Sequence, residues 1–163
     1  MLRILIIEDE PSIRELLDDF FNGEGFDTLL ATDGRSGVEL ALKVHPDVIL
    51  LDVMLPVMDG VEAAHRLKHD ARTHDIPIVV MSANLSVLRR PELLAADTVI
   101  RKPFDLDELL AGIASSEGET AGTYAGTRWR PITARLSRRL SSGLRFRRTT
   151  ISSGPAFAIR RWR

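Results

Sequence analysis

Two short apolar segments of this 163-residue chain end in acidic residues. One segment covers residues 3–7 and is followed by Glu8 and Asp9. The other covers residues 48–51 and is followed by Asp52. Continuous apolar runs of this length predict strands that are buried on both faces of a parallel sheet. A buried, unpaired carboxylate is unfavourable, so Asp52 is expected to face solvent, a metal ion or a partner, although taken alone it could simply cap the next loop.

Two further polar side chains follow predicted strands later in the chain. Residues 78–81 precede Ser82, and residues 99–101 precede Lys102. In an open α/β sheet, ligands bind outside the carboxyl ends of the strands, where these side chains would lie. Adjacent strands lie about 4.8 Å apart, so acids at neighbouring strand ends repel one another unless a cation relieves them. Carboxylate oxygens suit Mg²⁺, and an acceptor carboxylate, a hydroxyl and an ammonium around such an ion make a site for phosphoryl chemistry.

The elements that would position these groups alternate along the chain. After Pro11, apolar residues at positions 13, 16, 17, 20 and 21 predict one buried face of a helix. Ser12 and Glu15 are a candidate capping box, and Asn22–Gly23 would end this helix. Further strands are predicted at residues 26–31, 76–81 and 99–101, with helices ending before Pro46, over residues 61–68 and over residues 106–113. Alternating strands and helices predict a doubly wound parallel sheet.

Four motifs occur in order at residues 8–11, 51–60, 81–83 and 102–104. Together they resemble the receiver domain of two-component response regulators, of the chemotaxis-regulator type, over residues 1–114. The resemblance implies a flavodoxin-like α/β fold, with a doubly wound parallel sheet of five strands in the order 2-1-3-4-5. The first and third strands would then be neighbours at the site.

The resemblance also implies a role for each residue at the strand ends. Asp52 would accept a phosphoryl group from a phosphohistidine on a sensor histidine kinase or a phosphotransfer protein. Lys102 would pair with the phosphoryl oxygens, and Ser82 would donate a hydrogen bond to one of them after transfer. Mg²⁺ would be held by four groups: the Glu8, Asp9 and Asp52 carboxylates and the backbone carbonyl of Met54. Such a domain is a phosphoacceptor and a switch more than an enzyme.

Three departures from the family pattern fall after Ser82. Val99 stands three residues before Lys102, where the family usually has a tyrosine or phenylalanine. Ser82 and Lys102 are 20 positions apart. That spacing is about two positions shorter than usual, and Pro91 interrupts the predicted helix between them. We therefore expect an intact phosphorylation site but a weaker transmission of phosphorylation to the fourth helix and the fifth strand.

Composition excludes several other classes of protein. The chain has no cysteine, which rules out disulfides and thiolate metal sites. No apolar run approaches the roughly 20 residues of a membrane span, and the short apolar start runs directly into acids, unlike a secretory signal. We therefore expect a cytoplasmic protein. A haloacid-dehalogenase-type phosphatase would carry a second aspartate where Met54 stands. A nucleotide-binding domain would need a glycine-rich loop after a strand, and no such loop follows either of the two strands that end in acids.

The net charge of −1 conceals an acidic part and a basic part. Residues 1–119 carry 23 acids and 11 lysines and arginines, whereas residues 120–163 carry 11 arginines and no acid. Residues 115–163 are therefore predicted to be an Arg-rich tail, separate from the receiver-like part at 1–114.

Three interpretations of the Arg-rich tail are open from the sequence. Ile132, Leu136, Leu140 and Leu144 recur every four residues among arginines, which predicts a short amphipathic helix for binding nucleic acid or an anionic membrane. The content of serine, threonine, glycine and arginine favours disorder instead. The abundance of arginine without any lysine also fits a truncated or frame-shifted regulator that lacks its output domain.

Overall fold

The computed structural model describes residues 2–83, 96–106, 109, 110 and 113. These residues form a sheet of five parallel strands in the order β2-β1-β3-β4-β5. The strands are β1 (Arg3–Ile7), β2 (Asp27–Ala31), β3 (Val48–Asp52), β4 (Ile78–Ser82) and β5 (Thr98–Arg101). The predicted fold class and strand order are confirmed.

Three helices connect the first four strands: α1 (Pro11–Gly23), α2 (Gly34–Val44) and α3 (Gly60–His69). Asp33 caps α2 by accepting the amide of Ser36 at 2.9 Å, and Asp59 caps α3 by accepting the amide of Glu62 at 2.8 Å. Among the residues that the structure describes, no helix is long and apolar enough to cross a membrane. The predicted boundary at residue 114, the segment around Pro91 and the Arg-rich tail lie outside the described residues.

The predicted capping box at the start of α1 is wrong. The helix begins at Pro11, and no side chain caps its first turn. Proline is favourable in a first turn because the N–H that it lacks would have no partner there. Ser12 therefore lies inside the helix, and its hydroxyl donates to the Glu10 carboxylate at 2.9 Å.

The central strands bury both of their faces, in two clusters of apolar side chains. Successive residues of a strand point to opposite faces. Leu5 and Ile7 of β1 belong to the cluster beneath α2 and α3, and Ile4 and Ile6 belong to the cluster beneath α1. Ile113 also packs into the second cluster, so the last described part of the chain shares a face of the sheet with α1.

The apolar stripe predicted for α1 is correct except at one position. Leu17 and Phe21 are fully buried, and Ile13 and Phe20 are half-buried against the same cluster. Leu16 is 53% exposed. The helix therefore turns a narrower apolar face to the sheet than the sequence pattern suggests, and Leu16 lies on its outer face.

Lys68, near the end of α3, forms contacts at the amino-terminal ends of β4 and β5. Its ammonium donates to the carbonyl of Ile76 at 2.8 Å and to the carboxylate of Asp97 at 2.5 Å. Asp97 also accepts the amide of Ile78 at 3.0 Å. One ion pair therefore joins α3 to the starts of β4 and β5, and β5 is the strand whose other end leads to Lys102.

The loop between β3 and α3 is too tightly packed for a side chain at Gly60, where a Cβ would lie 2.0 Å from the carbonyl oxygen of Asp52. Within this loop, the amide of Met58 donates to the carbonyl of Pro56 at 2.7 Å, which closes a γ-turn around Val57. Val57 has a φ of 66° and a side chain that is 79% exposed. A positive φ is unfavourable for a β-branched residue, so the turn holds strain close to Asp52.

Replacing Val57 by asparagine should stabilise the protein. Asparagine tolerates a positive φ far better than valine, and the expected gain in the free energy of unfolding is about 1 kcal/mol. Urea denaturation would measure the gain. Val57→Thr is the matched control, because threonine has nearly the same shape as valine and keeps the β-branched side chain for which a positive φ is unfavourable. Equal gains from both variants, or no gain from Val57→Asn, would contradict strain at this turn.

Candidate functional site

Three side chains that are far apart in the sequence meet at the carboxyl ends of the strands. Glu8 follows β1, Asp52 ends β3 and Lys102 follows β5. The Lys102 ammonium donates to Oε2 of Glu8 and to Oδ2 of Asp52, both at 2.7 Å. Glu8 is 1% exposed and Asp52 is 5% exposed. One ammonium is therefore the counter-ion of two buried carboxylates.

Burial and the contacts between Lys102 and the two carboxylates shift the pKa values of Glu8 and Lys102 in opposite directions. Burial raises the pKa of Glu8, and the nearby Asp52 carboxylate adds to this effect, while the hydrogen bond from Lys102 opposes it. Burial alone would lower the pKa of Lys102, but its hydrogen bonds to Asp52 and Glu8 outweigh burial and raise it. Lys102 therefore keeps its positive charge beside the two carboxylates.

Glu8, Asp9 and Asp52 form a group of oxygen donors with the spacing of a cation site. Each residue offers one carboxylate oxygen, and these oxygens lie within 4.8 Å of one another. Asp9 is exposed, whereas the other two carboxylates are buried. In the part of the chain that the structure describes, this is the only such group of three acids or histidines. A set of carboxylate oxygens fits Mg²⁺, which binds few protein ligands and keeps several waters.

The structure places the remaining predicted site residues beside this group through their backbones. The amide of Met54 donates to Oδ1 of Asp52 at 3.2 Å. Ser82 is 1% exposed at the end of β4, and its carbonyl accepts the amide of Lys102 at 2.8 Å. These bonds bring together the residues that the sequence analysis selected. The metal contact of the Met54 carbonyl and the phosphoryl contact of the Ser82 hydroxyl stay predictions.

Sequence reasoning missed two residues that shape the site. Nη1 of Arg14 donates to the carbonyls of Glu8 and Asp9, at 2.9 and 3.1 Å, and so fixes the turn between β1 and α1. Its only signal is that it is a lone basic residue at the start of an acidic helix. Pro56 and Asp59–Gly60 indicate a turn before α3, but the positive φ of Val57 has no sequence signal, because valine is not among the residues that favour it.

Comparison with known proteins agrees with this geometry. Residues 4–114 match the family model of the response regulator receiver domain. The DNA-binding dual master transcriptional regulator RpaA of Synechocystis is 40% identical over 115 residues, which cover 69% of this chain and 48% of RpaA. Sporulation initiation phosphotransferase F of Bacillus subtilis is 38% identical over 109 residues, which cover 66% of this chain and 86% of that protein.

A solved structure extends the comparison to the acidic group. The receiver domain of the sensor histidine kinase PA1611 of Pseudomonas aeruginosa, which has a magnesium ion coordinated in its active site cleft, matches with a TM-score of 0.63 and 31% identity. The match covers 67% of this chain and 91% of that domain. The chain spans less than half of RpaA, so the likeness to that regulator concerns its receiver part. Through residues 4–114, the chain belongs to the response regulator receiver domain family.

Proposed function

We propose that this protein is a phosphoryl-accepting regulator in which Asp52 takes a phosphoryl group from a phosphohistidine. The donor is a sensor histidine kinase or a phosphotransfer protein, the partners from which receiver domains accept phosphoryl groups. The observation that carries the proposal is the Lys102 ammonium bonded to both Glu8 and Asp52, with the Asp9 carboxylate beside them. A nucleophilic carboxylate, an ammonium and an acidic cation site are the parts that this chemistry needs.

Transfer requires a carboxylate oxygen of Asp52 to attack phosphorus while the bond from phosphorus to the imidazole nitrogen breaks. The electron pair of that bond leaves with the imidazole, and the product is an acyl phosphate on Asp52. Lys102 lies 2.7 Å from Oδ2 of Asp52 and is therefore placed to pair with the phosphoryl oxygens. Ser82, at the end of the adjacent strand, supplies a hydroxyl for a further hydrogen bond.

Glu8, Asp9 and Asp52 would hold Mg²⁺, with the backbone carbonyl of Met54 as a fourth ligand. Three carboxylates against one ammonium leave an excess of negative charge at this edge, which favours a divalent cation. When bound, the ion neutralises charge that builds up on the phosphoryl oxygens. The contribution of the chain is positioning, and Arg14 contributes by holding the carbonyls of Glu8 and Asp9.

We further propose that phosphorylation is only weakly transmitted to β5. Val99 is half-buried against the cluster beneath α2 and α3. Valine is rigid about χ1, and it is too small to exchange a buried position for an exposed one as an aromatic ring would. A switch needs an element with two discrete arrangements. The Val99 side chain cannot provide two such arrangements in the way that an aromatic ring would.

Acetyl phosphate with Mg²⁺ should add one phosphoryl group to the wild-type chain and none to Asp52→Asn, because asparagine keeps the shape of the side chain but lacks the nucleophile. Mass spectrometry would count the group, and its release by hydroxylamine would identify an acyl phosphate. Asp75→Asn is the matched control, since Asp75 is an exposed aspartate away from the site, and it should be labelled like the wild type. Labelling of Asp52→Asn would overturn the assignment of the acceptor.

Lys102→Met should destabilise the metal-free protein, because it leaves the buried carboxylates of Glu8 and Asp52 without their counter-ion. The expected loss in the free energy of unfolding is about 3 kcal/mol. Thermal unfolding in EDTA and in Mg²⁺ would measure it, and Mg²⁺ should raise the melting temperature of the variant more than that of the wild type. Lys43→Met, at an exposed position of α2, should change little. Equal melting temperatures for the two variants in EDTA would contradict the counter-ion role.

A further inference from the structure

The negative charge of the described residues is concentrated around one helix. Between Glu8 and Asp27, a stretch that contains α1, the chain has eight acids and a single basic residue, Arg14. By contrast, α2 and its flanks, residues 33–47, carry three acids and two basic residues. The guanidinium of Arg14 donates to the carbonyls of Glu8 and Asp9 and so faces the β1–α1 turn. Among the three helices α1, α2 and α3, the largest excess of acids over basic residues therefore lies at α1 and its flanks.

The outer face of α1 exposes Glu15, Leu16 and Asp19 together. Residues that are three or four positions apart on a helix are neighbours on its surface. Asp19 therefore lies beside both Glu15 and Leu16 on this face. Within the described ranges, no lysine or arginine forms an ion pair with Glu15 or Asp19. We call these three side chains the α1 outer face. It combines unpaired negative charge with an exposed apolar side chain.

The chain leaves the described region next to this helix. Ile113 packs into the same cluster as Leu17 and Phe21 of α1. Residues 114–127 that follow are mostly alanine, glycine, serine and threonine, a composition typical of flexible linkers. Residues 128–148 then contain eight arginines and no acid, with apolar residues every fourth position from Ile132 to Leu144. This basic segment of the Arg-rich tail carries the charge opposite to that of the α1 outer face, together with apolar residues that match the exposed Leu16.

We propose that residues 128–148 bind in cis to the α1 outer face. Arginines would pair with Glu15 and Asp19, and one of the recurring apolar side chains would contact Leu16. A segment of 14 residues with this composition spans roughly 20 Å on average, and α1 is about 20 Å long, so residues 128–148 can reach the whole face. Tethering also raises the local concentration of the segment to the order of millimolar. The proposal does not depend on the phosphoryl chemistry of Asp52.

The absence of cysteine makes a direct test available. Ser142→Cys gives the whole, isotope-labelled chain a single site for a nitroxide spin label within the proposed contact. Amides of α1 should lose most of their NMR signal intensity, whereas amides of α2, on the other face of the sheet, should lose little. The double variant Glu15→Gln/Asp19→Asn should restore the α1 intensities at least about twofold, since exposed ion pairs depend on both charges. Raising the salt concentration tenfold should act in the same way, because it screens the pairs.

Two controls test whether the signal loss depends on these acids and arises within one chain. Glu39→Gln removes an exposed acid from α2 and should leave the signal loss at α1 unchanged. Signal loss that persists in Glu15→Gln/Asp19→Asn and at high salt would reflect only the short tether from Ile113 and would overturn the proposal. Signal loss that appears when spin-labelled and isotope-labelled chains are separate molecules in one mixture would show a contact between copies, which also overturns binding in cis.

Discussion

Two carboxylates that are buried from solvent share one ammonium at the carboxyl edge of the sheet, and the rest of the structure is arranged to make that contact. Glu8 and Asp52 would repel each other strongly without Lys102, because little solvent reaches them to screen their charges. The three residues lie at or just after the ends of β1, β3 and β5, so the contact requires these strands to be in place, with β4 between β3 and β5. Each further negative charge at this edge increases the attraction for a cation.

The backbone around the two carboxylates is tightly packed. Gly60 leaves no room for a Cβ against Asp52, and Val57 accepts an unfavourable φ so that the loop can return to α3. Arg14, on α1, donates to the carbonyls of Glu8 and Asp9, which directly follow the neighbouring strand β1. Strain that persists beside a reactive group is held by surrounding contacts, and here those contacts fix the positions of the oxygens.

Much of this edge was predictable because a charged residue directly after an apolar strand has few environments available to it. Asp52 and Lys102 could be identified on this ground, and the order of the strands followed from the family resemblance. A turn before α3 was indicated by Pro56 and Asp59–Gly60, but the positive φ of Val57 was not predictable, because the close packing of this loop overrides the conformational preference of valine. The exposure of Leu16 was missed because periodicity gives the width of an apolar face only approximately. The start of α1 was missed because a capping-box pattern can also occur within a first turn.

A lysine forms ion pairs at each end of the parallel strands, but the two lysines differ in their surroundings. Lys68 has a structural role, whereas Lys102 lies in the candidate site. At the amino-terminal edge, Lys68 is satisfied by backbone carbonyls as well as Asp97, and Asp97 also accepts an amide. Donors and acceptors are matched there, so nothing favours a further ligand. At the carboxyl edge, Lys102 faces two carboxylates with a third nearby, and acceptors outnumber donors. Because β5 is held at its start and Lys102 lies just past its end, we expect a new anion at Asp52 to compete for the Lys102 ammonium and the first response to stay near the carboxyl ends of the strands.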